Sequence, residues 1–361
     1  MTRFPVQQQL NRATTEQIQA ALEDPGFGHY YVDHVAKATW TPEQGWHDYE
    51  MAPVNDISMH PSAAVLHYAQ EIFEGLKAYR HDDGSVWLFR PEQNAARFAR
   101  SANRMAMQPF SEDDFLASVH ELVGRNFVWV PTKPGHSLYI RPFMFASEPM
   151  IGVRAANEYS YLCLASPAGP YYPEPVRLWV SPEFSRAAAG GTGAAKCGGN
   201  YAASMAGELE AQEQGCQQVL WLDAGTRKNI EESGTMNFMA VSAAGELLTP
   251  ALSGSVLPGI TRKSLLQLAD KHGLTPVERT LPLAEIVDGI GSGEIVEIFA
   301  CGTAAVITPV IGLRSPDFDV TVGDGQPGPK TMELREHLTG IQFGHEPDEF
   351  GWLQQVAEIT D

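Results

Sequence analysis

Lys196 stands in the run GGTGAAKCGGNY at 190–201, an amine between glycine pairs with an asparagine and a tyrosine behind it. A lysine held in such a turn can reach a carbonyl carbon and form an imine. Other readings of the loop stand beside this one. Glycine-rich runs with a lysine also cradle nucleotide phosphates, but the P-loop pattern needs Gly before the lysine and Ser or Thr after it. Here Ala195 precedes Lys196 and Cys197 follows. The dinucleotide pattern G-x-G-x-x-G is met at Gly191 and Gly193, with Lys196 where its third glycine belongs. An ordinary flexible surface loop has the same composition.

In amino-acid chemistry the carbonyl partner of a lysine is pyridoxal phosphate (PLP), and each part of PLP makes a demand on the chain. The phosphate wants helix N-terminal amides and an arginine. LPGITRKS opens a helix with Gly259, Ile260 and Thr261 in its first turn, and Arg97 and Arg186 are candidate cations. Arg97, Arg100 and Arg104 also repeat at helical spacing, the pattern of a solvated face. The ring nitrogen wants a carboxylate that keeps it protonated. IEESGTMN offers Glu231 and Glu232 before a strand; alternation turns only one of them inward, and Glu232 is the choice.

A substrate carboxylate wants arginine, tyrosine and free amides. In SLYIRPF, Tyr139 and Arg141 share one strand face and Leu138 and Ile140 the other. That polar face is either a carboxylate clamp or a surface meeting water. The turn at Gly302-Thr303-Ala304 either presents consecutive amides to an anion or closes a plain hairpin.

The elements that must position these groups follow from period and punctuation. Thr14 and Gln17 form a capping box for a helix ending before Pro25. Positions 28–41 and 49–54 read as strands, and 62–66 as a turn or short helix. Pro91 starts a helix through Met105, and Ser111 with acidic residues at 112–114 caps another to about Asn126. Positions 137–147 and 159–166 alternate as strands. PAGPYYPEP at 167–175 is the best linker in the chain. Beyond it strands and helices alternate: a strand at 176–180, a helix at 201–214, a strand at 217–223, and a hairpin of NFMAVS with ELLTP. Next comes a helix stopped by Gly273, a buried strand at 294–300 turning into AAVITPVIGL, and a helix over 331–342. The expectation is an α/β chain of two domains: a smaller N-terminal α/β domain over 1–166, a linker at 167–176, and a larger C-terminal domain over 177–361 that binds PLP. The active site is expected between the two.

Length and charge bound the partners. The 361 residues are enough for two domains, and 43% are hydrophobic, enough for a sizeable core. A formal charge of −19 disfavours nucleic acid and anionic membranes, so neither is expected as a partner. The four cysteines are widely spaced and form no metal-ligand or redox pattern, so no metal is expected. They read as reduced, buried thiols of a cytoplasmic protein. The N-terminal MTRFPVQQQLNRATTEQ has no apolar run of a signal peptide.

Together the pieces resemble the branched-chain amino-acid aminotransferases of PLP fold type IV. The motifs that carry the resemblance are GGTGAAKCGGNYAAS, GCQQVLWLD, EESGTMNF, LPGITR and CGTAAVITP, with LHYAQEIFEGLKAY, LYIRPF and LTGIQFG outside them. They stand in the family's order and span nearly the whole chain. The resemblance implies transamination between leucine, isoleucine or valine and 2-oxoglutarate. It implies that Lys196 holds PLP and acts as the catalytic base, that Tyr201 meets the phenolic oxygen, and that Glu232 pairs with the ring nitrogen. Arg97, Ile260, Thr261 and Thr303 would hold the phosphate, with Arg186 close to the cofactor. Phe27, Tyr68, Phe73, Tyr139, Arg141, Tyr171, Thr235 and Ala304 match substrate-pocket positions. A homodimer is implied, with Ile151 and Val153 closing the partner's pocket. Two relatives share the fold, D-amino-acid aminotransferase and aminodeoxychorismate lyase; the Tyr139-x-Arg141 pair and the Gly-Thr-Ala turn favour the branched-chain reading. One departure stands out: Ala305 and Thr308 occupy the positions of a redox C-x-x-C in mammalian relatives, so thiol regulation there is not expected.

Overall fold

Thr14 caps helix α1 (Thr15–Glu23) reciprocally: its hydroxyl accepts the Gln17 N–H at 3.3 Å and the Gln17 side chain accepts the Thr14 N–H at 2.8 Å. The structure is a computed structural model and describes residues 2–6, 12–170 and 174–360. The chain divides into two compact units: Met1–Tyr171, Ala195–Gly198 and Gly340–Asp361 form unit 1, and Tyr172–Ala194 and Gly199–Thr339 form unit 2. Elements are numbered in chain order.

After α1, unit 1 holds β1 (His34–Thr41), β2 (Gly45–Pro53), α2 (Ala64–Tyr68), β3 (Glu71–Phe73), β4 (Leu76–Arg80), β5 (Val86–Phe89), α3 (Pro91–Arg104), α4 (Glu112–Arg125), β6 (Ser137–Ala146) and β7 (Tyr159–Ala168). One antiparallel sheet runs from a C-terminal edge strand (Leu353–Val356, the last in the chain) through β5, β4, β6, β7 and β1 to β2. β3 pairs with the far half of β6, on the edge that β4 shares. Period two on β6 sends Leu138, Ile140 and Met144 into a core with Phe98 and Ala102 of α3 and Phe115, Val119 and Leu122 of α4. Each such side chain contributes about 1.5–3 kcal/mol on burial. Pro91 begins α3, and the Ser111 hydroxyl accepts the Asp114 N–H at 3.0 Å to start α4.

Unit 2 takes β8 (Val176–Val180), α5 (Gly198–Ala202, opening at the last residue of the short unit 1 excursion), α6 (Met205–Glu213), β9 (Gln218–Leu222), β10 (Ile230–Ser233), β11 (Met236–Ser242) and β12 (Glu246–Pro250). There follow α7 (Ile260–Leu268), β13 (Thr275–Arg279), α8 (Leu283–Ser292), β14 (Ile295–Gly302), β15 (Val306–Arg314), β16 (Asp319–Thr321) and α9 (Pro329–Phe343), which runs on into unit 1, where β17 (Leu353–Val356) is the edge strand. The sheet order is β10-β9-β8-β15-β14-β11-β12-β13, and β10 also pairs with β11, so the path closes on itself. Leu178, Leu220, Phe238, Ile298 and Val310 are among the core side chains of this closed sheet.

Several expectations need correction. The C-terminal domain is not continuous over 177–361, because Gly340–Asp361 groups with unit 1 and β17 pairs with β5. The linker is shorter than 167–176: β7 continues through Pro167 and Ala168, and Val176 already starts β8. Proline is tolerated there because β1 pairs only with Tyr159–Cys163 of β7, leaving Pro167 without a ladder on that side. The strand expected over 28–41 begins only at His34, after a loop in which Gly28 has φ +75°. The helix expected over 201–214 is two, α5 and α6.

Candidate active site

The face of β6 turned away from the core carries Tyr139, Arg141 and Phe143. Its neighbours add Glu71 and Phe73 from β3 and Leu164 and Ser166 from β7, and Phe27, Gly28 and Tyr31 come from the loop before β1. They line a cavity of about 370 Å³. The expected sharing of a face by Tyr139 and Arg141 is therefore observed, and that face is a pocket wall. Phe27 packs on Tyr139 with ring centroids 4.9 Å apart. The Arg141 guanidinium lies 4.7 Å over the Phe73 ring and donates to the Tyr139 hydroxyl at 3.1 Å. Gly75, between β3 and β4, leaves room for the Tyr139 ring, since a Cβ there would come within 2.9 Å of its Cζ.

Lys196 reaches this same wall. Its neighbours Ala195 and Cys197 are buried in the structure, and Cys197 belongs to the unit 1 core. The Lys196 N–H donates to the Ser101 hydroxyl at 3.0 Å, and its carbonyl accepts the Phe73 N–H at 2.9 Å. With the backbone fixed at both ends, Nζ stands 4.7 Å over the Phe73 ring. The flexible-loop reading of this run fails at the lysine itself.

Arg97 is 4% exposed, while Arg100 and Arg104 of the same helix face water. The solvated-face pattern thus holds for two of the three. Arg97 grips Glu74, which is fully buried, through Nε to Oε1 at 2.7 Å and a second N–H to Oε2 at 2.8 Å. Tyr68 on α2, and Ile151 and Val153 on the loop between β6 and β7, lie at the surface of unit 1, the latter two 70% and 90% exposed. Tyr171 lies outside the described residues.

In unit 2 both carboxylates of β10 are inside: Glu231 is 7% and Glu232 3% exposed. Alternation failed because β10 is out of register with β9 between Ile230 and Glu232, so Glu231 occupies a bulge and is not flipped outward. Glu232 accepts the Leu257 N–H at 2.6 Å and pairs with Arg186 Nε at 3.1 Å. Glu231 accepts the Ser255 hydroxyl, and Arg186 also donates to the Ser255 carbonyl. Burial pushes the Glu231 carboxyl up from its ordinary value, opposed by the Ser255 hydroxyl and the Arg186 charge. Glu232, with a cation and an amide, is the better held anion of the two.

The loop that supplies Ser255 and Leu257 leads into α7. Its N-cap Gly259 provides no side-chain cap, and Ile260 and Thr261 of the first turn are buried. Thr235 stands exposed in the two-residue turn joining β10 to β11, and Thr303 and Ala304 are half-buried in the turn joining β14 to β15. Asn237 of β11 pairs with Cys301 of β14, so these turns sit at one end of the sheet. Val306, just past the second turn, has φ +60°, a strained conformation for a β-branched residue. Tyr201 is half-buried on α5, where Asn200 and Thr192 brace the glycine loop with bonds of 2.8 and 2.9 Å. Cys301 is buried, and its thiol is pushed up to about 12.

Glu71 and Lys77 were not singled out from the sequence. Glu71 is two residues from Phe73 on β3 and lines the cavity. Lys77 is the cross-strand partner of Tyr139, and burial lowers its ammonium to about 8. Alternation along EIFEGLK was the available signal, but the break at Glu74–Gly75 conceals it.

Each unit carries groups of the kind that PLP needs: unit 1 has a pinned amine on an aromatic wall, and unit 2 has a buried carboxylate held by a cation and an amide and a helix N-terminus without a side-chain cap. The family model for amino-transferase class IV matches residues 71–313. The branched-chain-amino-acid aminotransferase of Mycolicibacterium smegmatis is 51% identical over 360 residues, 98% of each chain. Among solved structures, the branched-chain amino acid aminotransferase from Escherichia coli is 30% identical with a TM-score of 0.71, covering 89% of this chain and 99% of that one. The T.th. branched-chain amino acid aminotransferase complexed with N-(5'-phosphopyridoxyl)-L-glutamate is 27% identical with a TM-score of 0.72 and the same coverage.

Proposed function

The chain belongs to the class IV amino-transferases and catalyses PLP-dependent transamination of branched-chain amino acids; on that premise we propose that 2-oxoglutarate is the amino acceptor and that the reaction is run by the residues named above. When bound, PLP supplies an aldehyde that captures the amino group and a ring that accepts the electrons released at Cα. Lys196 would hold the cofactor, and its Nζ would take the proton from the substrate's Cα. Glu232, held by Arg186 and the Leu257 amide, would pair with the ring nitrogen and favour its protonated form. Tyr201 donates to the phenolic oxygen. The first-turn amides of α7 at Ile260 and Thr261, with Arg97 and Thr303, would hold the phosphate, Arg186 would stand close to the cofactor beside Glu232, and unit 2 would be the main PLP-binding domain. The amides of Thr303 and Ala304 take the substrate's α-carboxylate, with Thr235 beside them.

One observation supports the substrate reading most strongly: the Lys196 amine and the Arg141 guanidinium both lie 4.7 Å over the ring of Phe73, in a cavity walled by aromatic side chains. The rings of Phe27, Phe73 and Tyr139 accept a leucine, isoleucine or valine side chain by apolar burial. Arg141 and the Tyr139 hydroxyl give the γ-carboxylate of 2-oxoglutarate a charged partner, without which its desolvation would cost several kcal/mol. The test is Arg141→Ala. We expect kcat/KM for 2-oxoglutarate to fall about 10- to 100-fold, the worth of a charge-assisted hydrogen bond, with a much smaller loss for 4-methyl-2-oxopentanoate. Equal losses would remove Arg141 from that role.

The assembly belongs to the same proposal. Leu66, Tyr68, Ile151 and Val153 are large apolar side chains exposed on unit 1, which supports a homodimer in which Tyr68, Ile151 and Val153 cover the partner's cavity. Tyr171 is assigned to the substrate pocket on the same family grounds. The four buried, unpaired thiols support a reducing, cytoplasmic setting.

A further inference from the structure

Glu71 has no role in the scheme above, yet it stands at the centre of the cavity wall. It is half-buried on β3, on the face that carries Phe73. One carboxylate oxygen accepts the N–H of Gly198, two residues after Lys196. Gly198 is glycine for a steric reason: a Cβ there would run into the same carboxylate, 3.2 Å from its Cδ. Burial pushes the Glu71 carboxyl up from its ordinary value, opposed first by the Gly198 N–H and then by the charge of Arg141, which lines the same wall. One side chain is therefore coupled both to the loop of the catalytic lysine and to the cation of the carboxylate clamp.

We propose that Glu71 is a positioning and specificity residue: it fixes the lysine loop through the Gly198 amide, and it is the resident counter-ion of Arg141, with which an incoming substrate carboxylate must compete. The inference rests on the Arg141 assignment in the proposed function and deepens it. A transaminase with one cavity meets an aliphatic side chain in one half-reaction and a carboxylate in the other. With an aliphatic side chain in place, the substrate brings no charge to the half-buried Arg141, and Glu71 offsets the guanidinium's charge. With 2-oxoglutarate, the γ-carboxylate takes over Arg141 and faces repulsion from Glu71. The carboxylate on β3 thus restrains dicarboxylate binding and favours branched aliphatic substrates.

The experiment measures dissociation constants by calorimetry for two unreactive carboxylates, glutarate and 4-methylpentanoate, on PLP-loaded wild type, Glu71→Gln and Glu71→Ala. Both variants remove the charge, and both are expected to bind glutarate about fivefold more tightly relative to 4-methylpentanoate. In an Arg141→Gln background the same substitutions should leave that ratio unchanged. Glutamine can still accept the Gly198 N–H and alanine cannot, so kcat with L-leucine should fall in Glu71→Ala and hold in Glu71→Gln. A ratio that stays constant or moves toward 4-methylpentanoate in both variants overturns the proposal, as does a gain that persists without Arg141. The ratio does not depend on the fraction of active protein, so a poorly folding variant remains readable. Failure of the broader reading has a different signature, a wild-type protein that takes up no PLP.

Discussion

Lys196 owes its place to two ordinary hydrogen bonds and to buried neighbours on either side, so its side chain emerges from a fixed backbone onto the Phe73 ring. Its chemical setting is built from residue types that the sequence displays openly, yet their partners are decided by burial. Arg97 and Arg100 look alike at helical spacing; one grips the buried Glu74 and the other faces water. A carboxylate without such a partner behaves differently. Glu208 on α6 is partly buried, its Oε1 has no hydrogen-bond partner among the described residues, and burial pushes its carboxyl up to about 7. Its folded-state pKa therefore lies above its unfolded value of about 4.3. The stability present at low pH is lost as pH rises from that value through 7, because the folded state must ionise a desolvated group. Glu208→Gln should be more stable than wild type at pH 8, by on the order of 1 kcal/mol after allowing for partial solvent access, and match it near pH 4. A gap of equal size at both pH values would show that Glu208 acts through packing and not through charge.

At the scale of elements, what was legible followed regular periods and explicit caps. The α1 capping box, the Ser111 cap, Pro91 at the start of α3 and the alternation of β6 all encode their geometry locally. The Tyr139–Arg141 face was visible because a strand of ten residues alternates without interruption. What was not legible came from pairing. The bulge at Glu231 depends on the register of β10 against β9, so alternation placed Glu232 inside correctly but wrongly turned Glu231 out. Pro167 read as a linker residue because its tolerance depends on where β1 stops. Glu71 was missed because β3 is only three residues long and ends at a break, too short to show a period. The family motifs carried the unit 2 site residues where local pattern left alternatives open, as at the Gly302-Thr303-Ala304 turn.

At the scale of the whole molecule, the return of Gly340–Asp361 to unit 1 is a long-range contact with no local signal in the sequence. A formal charge of −19 sets the background against which each buried arginine acts, and Arg97, Arg141 and Arg186 each lie close to a carboxylate or act on one. The exposed apolar side chains on α2 and on the loop between β6 and β7 argue at this scale for a second copy of the chain. Val153 is 90% exposed and Ile151 70%, side chains whose apolar surface gains about 25 cal/mol per Å² when covered. Val153→Glu should shift the protein from dimer to monomer in light scattering and lower kcat/KM by an order of magnitude or more, because a charge must then be buried unpaired. A variant that remains dimeric and fully active would place the interface elsewhere.

The central claim is that the amine of Lys196 carries the cofactor. Loading the protein with PLP, reducing with borohydride and mapping the peptides tests it directly. The account predicts one stable pyridoxyl label per chain, on the peptide containing Lys196, and none in Lys196→Ala. A label on a different lysine, or no label on protein that has taken up PLP, would contradict it.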